Sequence, residues 1–451
     1  MNQHSKSTTQ IIMVFVLLLG SFLSAFAETF LNNALPTIMA EVHVSQATAQ
    51  WLSTGYLLVA GIMMPTAAYF TNRIKLKPLF LGTISIFLSG LIMSATAQSF
   101  TILLLGRLIQ AASVGVSMPL VQNVLTLIFP AEKRGIALGI GGIVINLGPA
   151  IGPTLSGIIV THWSWRMLFI ALIPIACLVL VLGIFTIDNV TDTRSDHLDM
   201  PSLIMSIFGF GGLLFGLSQI GVSGNLDVTS LFEILSGLLV ISLFCKRQLS
   251  LKHPLLELRV FTAPSFRKVA LLAALTNIAL MGPELVIPLY NQTIRGTNAM
   301  TSGLLMLPGT ILMAILSPLS GKLYDRFGIK RLVSVGFTAT FFATIPMIFF
   351  DASTSLNTIA FLYAIRSAGL TLVFMPLTTS GLNALPHSYL VYGSTMIVTL
   401  QQLASSLGTA ALVTAIKLGH GFQWAFTLVL IIGAFCLIIS ATLKNKTVTE
   451  I

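Results

Sequence analysis

Charge is what this sequence has least of. Only 8% of its 451 residues are Asp, Glu, Lys or Arg, against 55% hydrophobic residues. Soluble domains carry about 25% charged residues, so the composition excludes a soluble globular protein. Cysteine is nearly absent as well: Cys177, Cys245 and Cys436 all fall in or at the edge of apolar runs. Their number is odd and their spacing fits neither a disulfide framework nor a metal site, so no metal and no cofactor is expected. The seven histidines (His4, His43, His162, His197, His253, His387 and His420) are scattered. A membrane-embedded enzyme would need catalytic groups clustered at one interface, and none pair here. The net charge of +10 would point to nucleic acid only if the basic residues shared a folded soluble face. They lie between apolar runs instead, where anionic lipid is the partner.

Apolar length is what the chain does have. A membrane-crossing helix needs about 20 mostly apolar residues, and such windows fall at 11–36, 50–70, 79–97, 100–128, 136–160 and 167–187. A middle pair follows at 202–220 and 229–246. The last six lie at 268–290, 299–321, 331–349, 356–381, 391–416 and 422–443. The expected fold class is therefore an all-α polytopic membrane protein of fourteen transmembrane helices arranged as 6+2+6. The expected units are 1–190, 191–250 and 251–451. With the N-terminus taken as cytoplasmic, 19 Lys and Arg fall in inside segments and three (Arg166, Arg295 and Lys417) in outside loops, which places both termini in the cytoplasm of a bacterial cell. Lys6, the apolar run from Ile11 and the Ala25-Phe26-Ala27 triplet resemble a cleavable signal peptide. The apolar stretch runs past that triplet to Pro36, so the segment is expected to be retained. The longest loops, an acidic one at 188–201 and a basic one at 247–267, leave no soluble domain of useful size, and function has to reside in the helices.

The sequence repeats itself. Pro65-Thr-Ala-Ala68-Tyr-Phe-Thr-Asn72-Arg73 aligns without a gap on Pro318-Leu-Ser-Gly321-Lys-Leu-Tyr-Asp325-Arg326, 253 residues later. Arg107 has a counterpart in Arg366, 259 residues later. Two six-span copies in parallel, with a working cavity between them near the midplane, are a transporter architecture.

Several stretches then carry a resemblance. Gly321 to Arg331, with Asp325, Arg326 and Gly328, resembles the loop signature, motif A, of the major facilitator superfamily; the first copy is degraded, with Ala68, Asn72 and Lys75 in place of Gly, Asp and Gly. Gly148-Pro149-Ala-Ile-Gly152-Pro153 resembles the antiporter motif C, and Arg107-Leu-Ile-Gln110-Ala111 resembles motif B. Glu28 followed by Asn32-Asn-Ala34-Leu35-Pro36, the Trp163-Ser-Trp165 triplet and His253-Pro254-Leu-Leu-Glu257-Leu258-Arg259 are similar to the fourteen-span drug:proton antiporters of QacA/EmrB type. The resemblance implies the major facilitator fold and a monomeric, proton-coupled multidrug exporter of lipophilic, cationic compounds, with drugs, protons and lipids as its partners. It further implies that Asp325 and Arg326 lock helix ends and that Gly148, Pro149, Gly152 and Pro153 serve conformational gating.

An ionisable group at the bilayer centre costs at least about 2.5–3.5 kcal/mol, so each is a candidate for function. Four qualify: Glu28, Glu284, Arg107 and Arg366. Aligning Pro36 with Pro288 sets Glu284 opposite Asn32, one helical turn from Glu28 on the same face. A carboxyl in a low-dielectric cavity can hold a proton near neutral pH and release it to a cationic substrate or a nearby arginine. Glu28 and Glu284 are thus expected to exchange protons, with Arg107 tuning them and Arg366 a structural charge. Asn32, Tyr56, Asn123, Asn146, Gln401 and Gln402 are polar groups within spans and candidate cavity lining. Competing readings are a tetracycline-type or other specific exporter of the same fold, and, in other classes, a membrane scaffold, a receptor or an embedded enzyme.

Overall fold

The computed structural model describes residues 3–31, 34–44, 46–130, 134–190, 199–223, 227–252, 254–297, 299–418 and 421–443, and among them every regular element is helical. The order is α1 (Gln3–Thr29), α2 (Leu35–Val42), α3 (Gln46–Met63), α4 (Ala67–Arg73), α5 (Leu76–Ala95), α6 (Phe100–Ile128), α7 (Arg134–His162) and α8 (Arg166–Thr186). It continues with α9 (Met200–Ser223), α10 (Val228–Ser250), α11 (Pro264–Thr293), α12 (Ala299–Thr344), α13 (Leu356–Asn383), α14 (Leu390–Leu418) and α15 (Phe422–Ala441). Among the described residues, eleven segments are long and apolar enough to cross a membrane, and the chain is a multi-pass helical membrane protein.

Local chemistry explains the boundaries. Among the described residues, side chains accept from the backbone amide three residues on at four starts: Ser99 from Ile102 (3.4 Å), Asp199 from Ser202 (3.1 Å), Asp227 from Ser230 (2.9 Å) and Ser355 from Thr358 (3.1 Å). Each satisfies a backbone donor that the first turn leaves open. α11 opens on Pro264, whose missing N–H costs nothing in a first turn. α12 is one run of 46 residues bent at Gly328, which adopts φ 76° and ψ 172°. Only glycine takes that conformation without strain, so the motif A glycine turns the chain between the two apolar windows.

The first span departs from expectation. The window 11–36 reads as one helix, but α1 ends at Thr29 and a separate α2 begins at Leu35 with Pro36 in its first turn. Proline supplies no N–H and its ring collides with the carbonyl four residues back, so the helix restarts there instead of running through. The break lies one turn beyond Glu28.

The first half is tied together at its ends. At what we term the distal end, Arg166 bonds Glu41 (2.5 Å) and the Ala97 carbonyl (2.8 Å), while Trp165 Nε1 donates to the other Glu41 oxygen (2.7 Å). The Arg166 hydrogen bond holds the Glu41 carboxyl below its usual range. At the opposite, proximal end the Lys77 amide donates to Asn189 (3.1 Å), closing α5 on the end of α8. α5 crosses α6 where Gly90 and Gly106 meet, and α12 crosses α13 in the same manner where Gly336 and Gly369 meet. A Cβ on Gly336 would lie 2.5 Å from the Gly369 carbonyl, an approach that small residues permit between membrane helices.

Candidate functional site

The site is built around a buried arginine. Arg107 projects from α6 and is wholly enclosed. Its Nη1 donates to the Ala27 carbonyl on α1 (2.8 Å) and to Gln110 Oε1 (3.0 Å), and Nε donates to the Leu52 carbonyl on α3 (3.4 Å). The guanidinium lies 4.0 Å from the Tyr56 ring centroid and 5.5 Å from that of Phe30, contacts worth about 0.5–2 kcal/mol when desolvated. Gln110 is fixed in turn by the Gly90 carbonyl (3.0 Å) and Ser94 Oγ (2.9 Å). A charge this deep is costly unless its donors are satisfied; the carbonyls of α1 and α3 and the Gln110 side chain take Nη1 and Nε, while the buried Nη2 has no partner among the described residues.

The second half repeats the device. Arg366 on α13 is also fully buried, and its Nη2 donates to the Ala279 carbonyl of α11. Ala27 and Ala279 are 252 residues apart, the offset that matches Pro36 with Pro288, and the two arginines are 259 apart. The sequence repeat therefore extends to a hydrogen bond: in each half an arginine from the fourth helix of the repeat holds the carbonyl at one register position of the first.

Glu28 follows the Ala27 carbonyl directly and is half-buried. Arg107 is the cation whose field reaches it, yet no ion pair joins the two among the described residues. Glu284 is half-buried on α11, and Arg366 stands to it as Arg107 stands to Glu28.

The Gly-Pro stretch of α7 packs on the turn of α1 that carries Glu28. A Cβ on Gly148 would meet the Phe26 amide nitrogen at 2.7 Å and the Ala25 carbonyl carbon at 2.9 Å, and one on Gly152 would meet Thr29 Oγ1 at 2.7 Å. These two glycines bracket Glu28. At its other end α7 packs on the second half. Ser317 Oγ donates to the Gly139 carbonyl (2.6 Å), and a Cβ on Gly142 would strike Met375 at 2.4 Å. One helix thus touches both the acidic turn of α1 and the opposing half.

Further contacts between the halves gather at the proximal end. Arg134, at the start of α7, donates to Asn383 Oδ1 at the end of α13 (3.0 Å) while holding the Thr126 and Phe129 carbonyls (3.0 and 3.3 Å). Ser394 on α14 donates to Asn123 Oδ1 on α6. Asn123, expected as cavity lining, is thus placed in a junction between halves and is fully buried. Tyr56 is buried under Arg107, and its hydroxyl reaches the Ser24 carbonyl at 3.4 Å. Gln401 is buried beside Asn277, which donates to its carbonyl (2.7 Å), and Gln402 lies at the α3–α14 seam near Gly61. Asp325 and Arg326 are exposed at the α12 bend, with Arg326 over the Phe327 ring (5.3 Å). Asn32 and the side chains of Asn146, Pro149 and Pro153 lie outside the described residues.

Arg134, Asn383, Ser317 and Ser394 escaped the sequence reading. Arg134 counted only as one of the loop charges that set topology, and serine and asparagine near helix ends carry no pattern of their own.

A repeated arrangement of a buried arginine clamped to the first helix of its repeat, with an acidic residue on that same helix, is that of a membrane transporter and not an enzyme. The chain belongs to the Major Facilitator Superfamily, whose family model matches residues 17–409. It is 40% identical over 454 residues to the uncharacterized MFS-type transporter YcnB of Bacillus subtilis, covering 98% of this chain and 96% of that one. It is 37% identical over 409 residues to the lincomycin resistance protein LmrB of Bacillus subtilis, covering 90% and 85%. Among solved structures the human organic anion transporter MFSD10 superposes with a TM-score of 0.71 at 14% identity over 95% of this chain and 99% of that one, a likeness of fold.

Proposed function

We propose that this protein is a proton-coupled antiporter that exports drug-like compounds across a bacterial plasma membrane by alternating access. The observation that carries the reading is the state of Glu28. Arg107 is held mainly by neutral partners (Ala27, Leu52 and Gln110) and not by an ion pair with Glu28. The Glu28 carboxyl can therefore gain or lose a proton without stranding a buried arginine. Glu284 takes the same part in the second half. The α7 glycines on either side of Glu28, joined through the same helix to Ser317 and Met375, give a path from protonation to the packing of the halves. The contacts between the halves described above lie toward the proximal end, which corresponds to a state closed on that side.

Lincomycin resistance in a relative that matches 90% of this chain supports drug export. Lincomycin-type antibiotics and lipophilic organic cations are the two substrate classes to probe. The apolar segments, with α12 counted as two spans and α7 and α14 added to the eleven, support fourteen spans as 6+2+6. The Lys and Arg asymmetry supports a cytoplasmic proximal end and cytoplasmic termini. Expression in an efflux-deficient bacterium should raise tolerance to at least one of the two classes, and dissipating the pH gradient should abolish export. Unchanged tolerance to both, or export indifferent to the gradient, contradicts the reading.

A further inference from the structure

The pair α9–α10 interrupts the repeat and carries none of the motifs above, yet its packing is specific. The two helices are locked to each other along their length. A Cβ on Gly237 would lie 2.5 Å from the Leu213 amide nitrogen and 2.9 Å from the Gly209 carbonyl, and one on Gly216 would lie 2.9 Å from the Ser230 carbonyl. At the proximal end Arg247 forks onto Asp199 with two bonds of 2.7 Å, and Gln248 donates to Ser202 (2.6 Å). The pair is a rigid unit. α10 turns an apolar face outward, with Phe232 72% and Leu239 63% exposed, whereas Leu213, Leu214 and Leu217 on α9 are buried. α9 is therefore sandwiched between α10 and the body of the protein.

What α9 covers is the seam between the halves where α3 and α14 face each other, and its two contacts there differ in kind. Against α3 it is notched. Leu214 fills the space left by Gly61 (a Cβ there would be 2.6 Å from its Cδ1), a Cβ on Gly211 would lie 3.1 Å from Ile62 Cδ1, and the Trp51 and Phe215 rings lie 5.3 Å apart. Against α14 the contact described is aliphatic, with Leu403 packed against the cluster that Leu213 and Leu217 form. A notched surface fixes position, while a smooth apolar one lets packed helices shear. The covalent tie to the second half runs through 251–263, and polar contacts of that stretch turn back to the pair itself. Leu256 donates to Gln248 (3.2 Å), and Arg259 holds the Leu249 and Leu251 carbonyls (3.1 and 3.2 Å).

We propose that α9–α10 is a lateral seal: it rides with the first half as one body and closes the α3–α14 seam to the bilayer, sliding over α14 as the halves rock. Hydrophobic compounds dissolved in the membrane are thereby denied this side of the space between the halves. The sliding rests on the alternating-access reading above; the sealing does not.

The test uses the full chain with Cys177, Cys245 and Cys436 replaced by serine. A disulfide joining Gly61→Cys to Leu214→Cys should form and leave export intact. One joining Leu213→Cys to Leu403→Cys should form and abolish export, which returns on reduction. Separately, a membrane-dissolved maleimide should label Gln402→Cys slowly. Labelling should accelerate when Leu213 and Leu217 are cut to alanine, while a charged, water-borne maleimide keeps its rate. Failure of either disulfide to form, export that survives the α9–α14 link, loss of export with the α9–α3 link, or labelling unmoved by the alanines overturns the proposal. A cysteine-free protein that exports neither substrate class counts against the exporter reading instead, and the labelling comparison still decides the seal.

Discussion

Replacing Gly148 by alanine would set a Cβ 2.7 Å from the Phe26 amide nitrogen and 2.9 Å from the carbonyl carbon and Cβ of Ala25. All three atoms belong to the backbone of α1 or are fixed to it, so none can swing away. Contacting heavy atoms settle near 3.5 Å, so α1 would have to withdraw by roughly 0.8 Å at the turn that carries Glu28. Overpacking of this kind costs about 1–3 kcal/mol, equivalent to a shift of about 5- to 150-fold in a two-state population. Gly152→Ala makes an internal comparison. Its nearest neighbour at 2.7 Å is Thr29 Oγ1, which can rotate, so the cost should be distinctly smaller. Gly433→Ala is the control: nothing lies within 4 Å of its Cβ, and alanine gains about 0.5–1 kcal/mol over glycine inside a helix. Thermal unfolding in detergent and the initial rate of export should both rank the variants with Gly148→Ala worst, Gly152→Ala next and Gly433→Ala near wild type. If Gly148→Ala matches Gly433→Ala in both assays, α7 does not press on the acidic turn and the proposed path from Glu28 to the opposing half fails.

Other outcomes follow from the same geometry. Asn383→Ala removes the acceptor that Arg134 uses across the halves while leaving its two carbonyl bonds. Hydrogen bonds to charged groups contribute about 1.5–3 kcal/mol, so spin labels flanking the proximal end should show a longer-distance population at least about tenfold enriched; an unchanged distribution would show that this bond does not hold the halves together. Arg107→Lys keeps a charge but cannot span Ala27, Leu52 and Gln110 from one planar fork, and it should lose most export in proteoliposomes at normal protein yield. The Arg247 hydrogen bonds hold the Asp199 carboxyl at about 2, far below its ordinary value. Because this is a depressed acid, its stabilisation is present above the ordinary carboxylate range and is lost as pH falls toward that value. Hydrogen exchange around 200–203 and 247–250 should stay slow at pH 5 and quicken only in strong acid; Arg247→Ala should move that onset up to the ordinary range near about pH 4.

The parts of the molecule that were legible in the sequence are those written in apolar length and in repeated polar residues. Most of the helix windows reappear with edges moved by a few residues, as at 136–160 against Arg134–His162, while 299–321 and 331–349 fall in the single bent run of α12. Arg107 and Arg366 were visible as matched charges in apolar runs, and both anchor to the carbonyl at one register position of the first helix of their repeat. The break after Thr29 was less legible, because Pro36 lies at the end of an otherwise uninterrupted apolar window and the window test is blind to a missing N–H. The contact of Gly148 and Gly152 with α1 could be anticipated as close packing, but nothing in a glycine names its neighbour. The latch from Arg134 to Asn383 was hidden because loop arginines are abundant in any membrane protein. The middle pair offered no motif at all; its meaning lies in which helices it touches, and that information is not local.

The central claim is that Glu28 moves the proton that drives export. Proteoliposomes with an internal pH indicator report proton movement and drug movement together when substrate is added. Wild type should couple the two, and Glu28→Gln, which keeps the size and the buried Arg107 clamp, should bind drug but neither move protons nor concentrate drug against a pH gradient. Proton-coupled export that persists in Glu28→Gln at the wild-type rate contradicts the account.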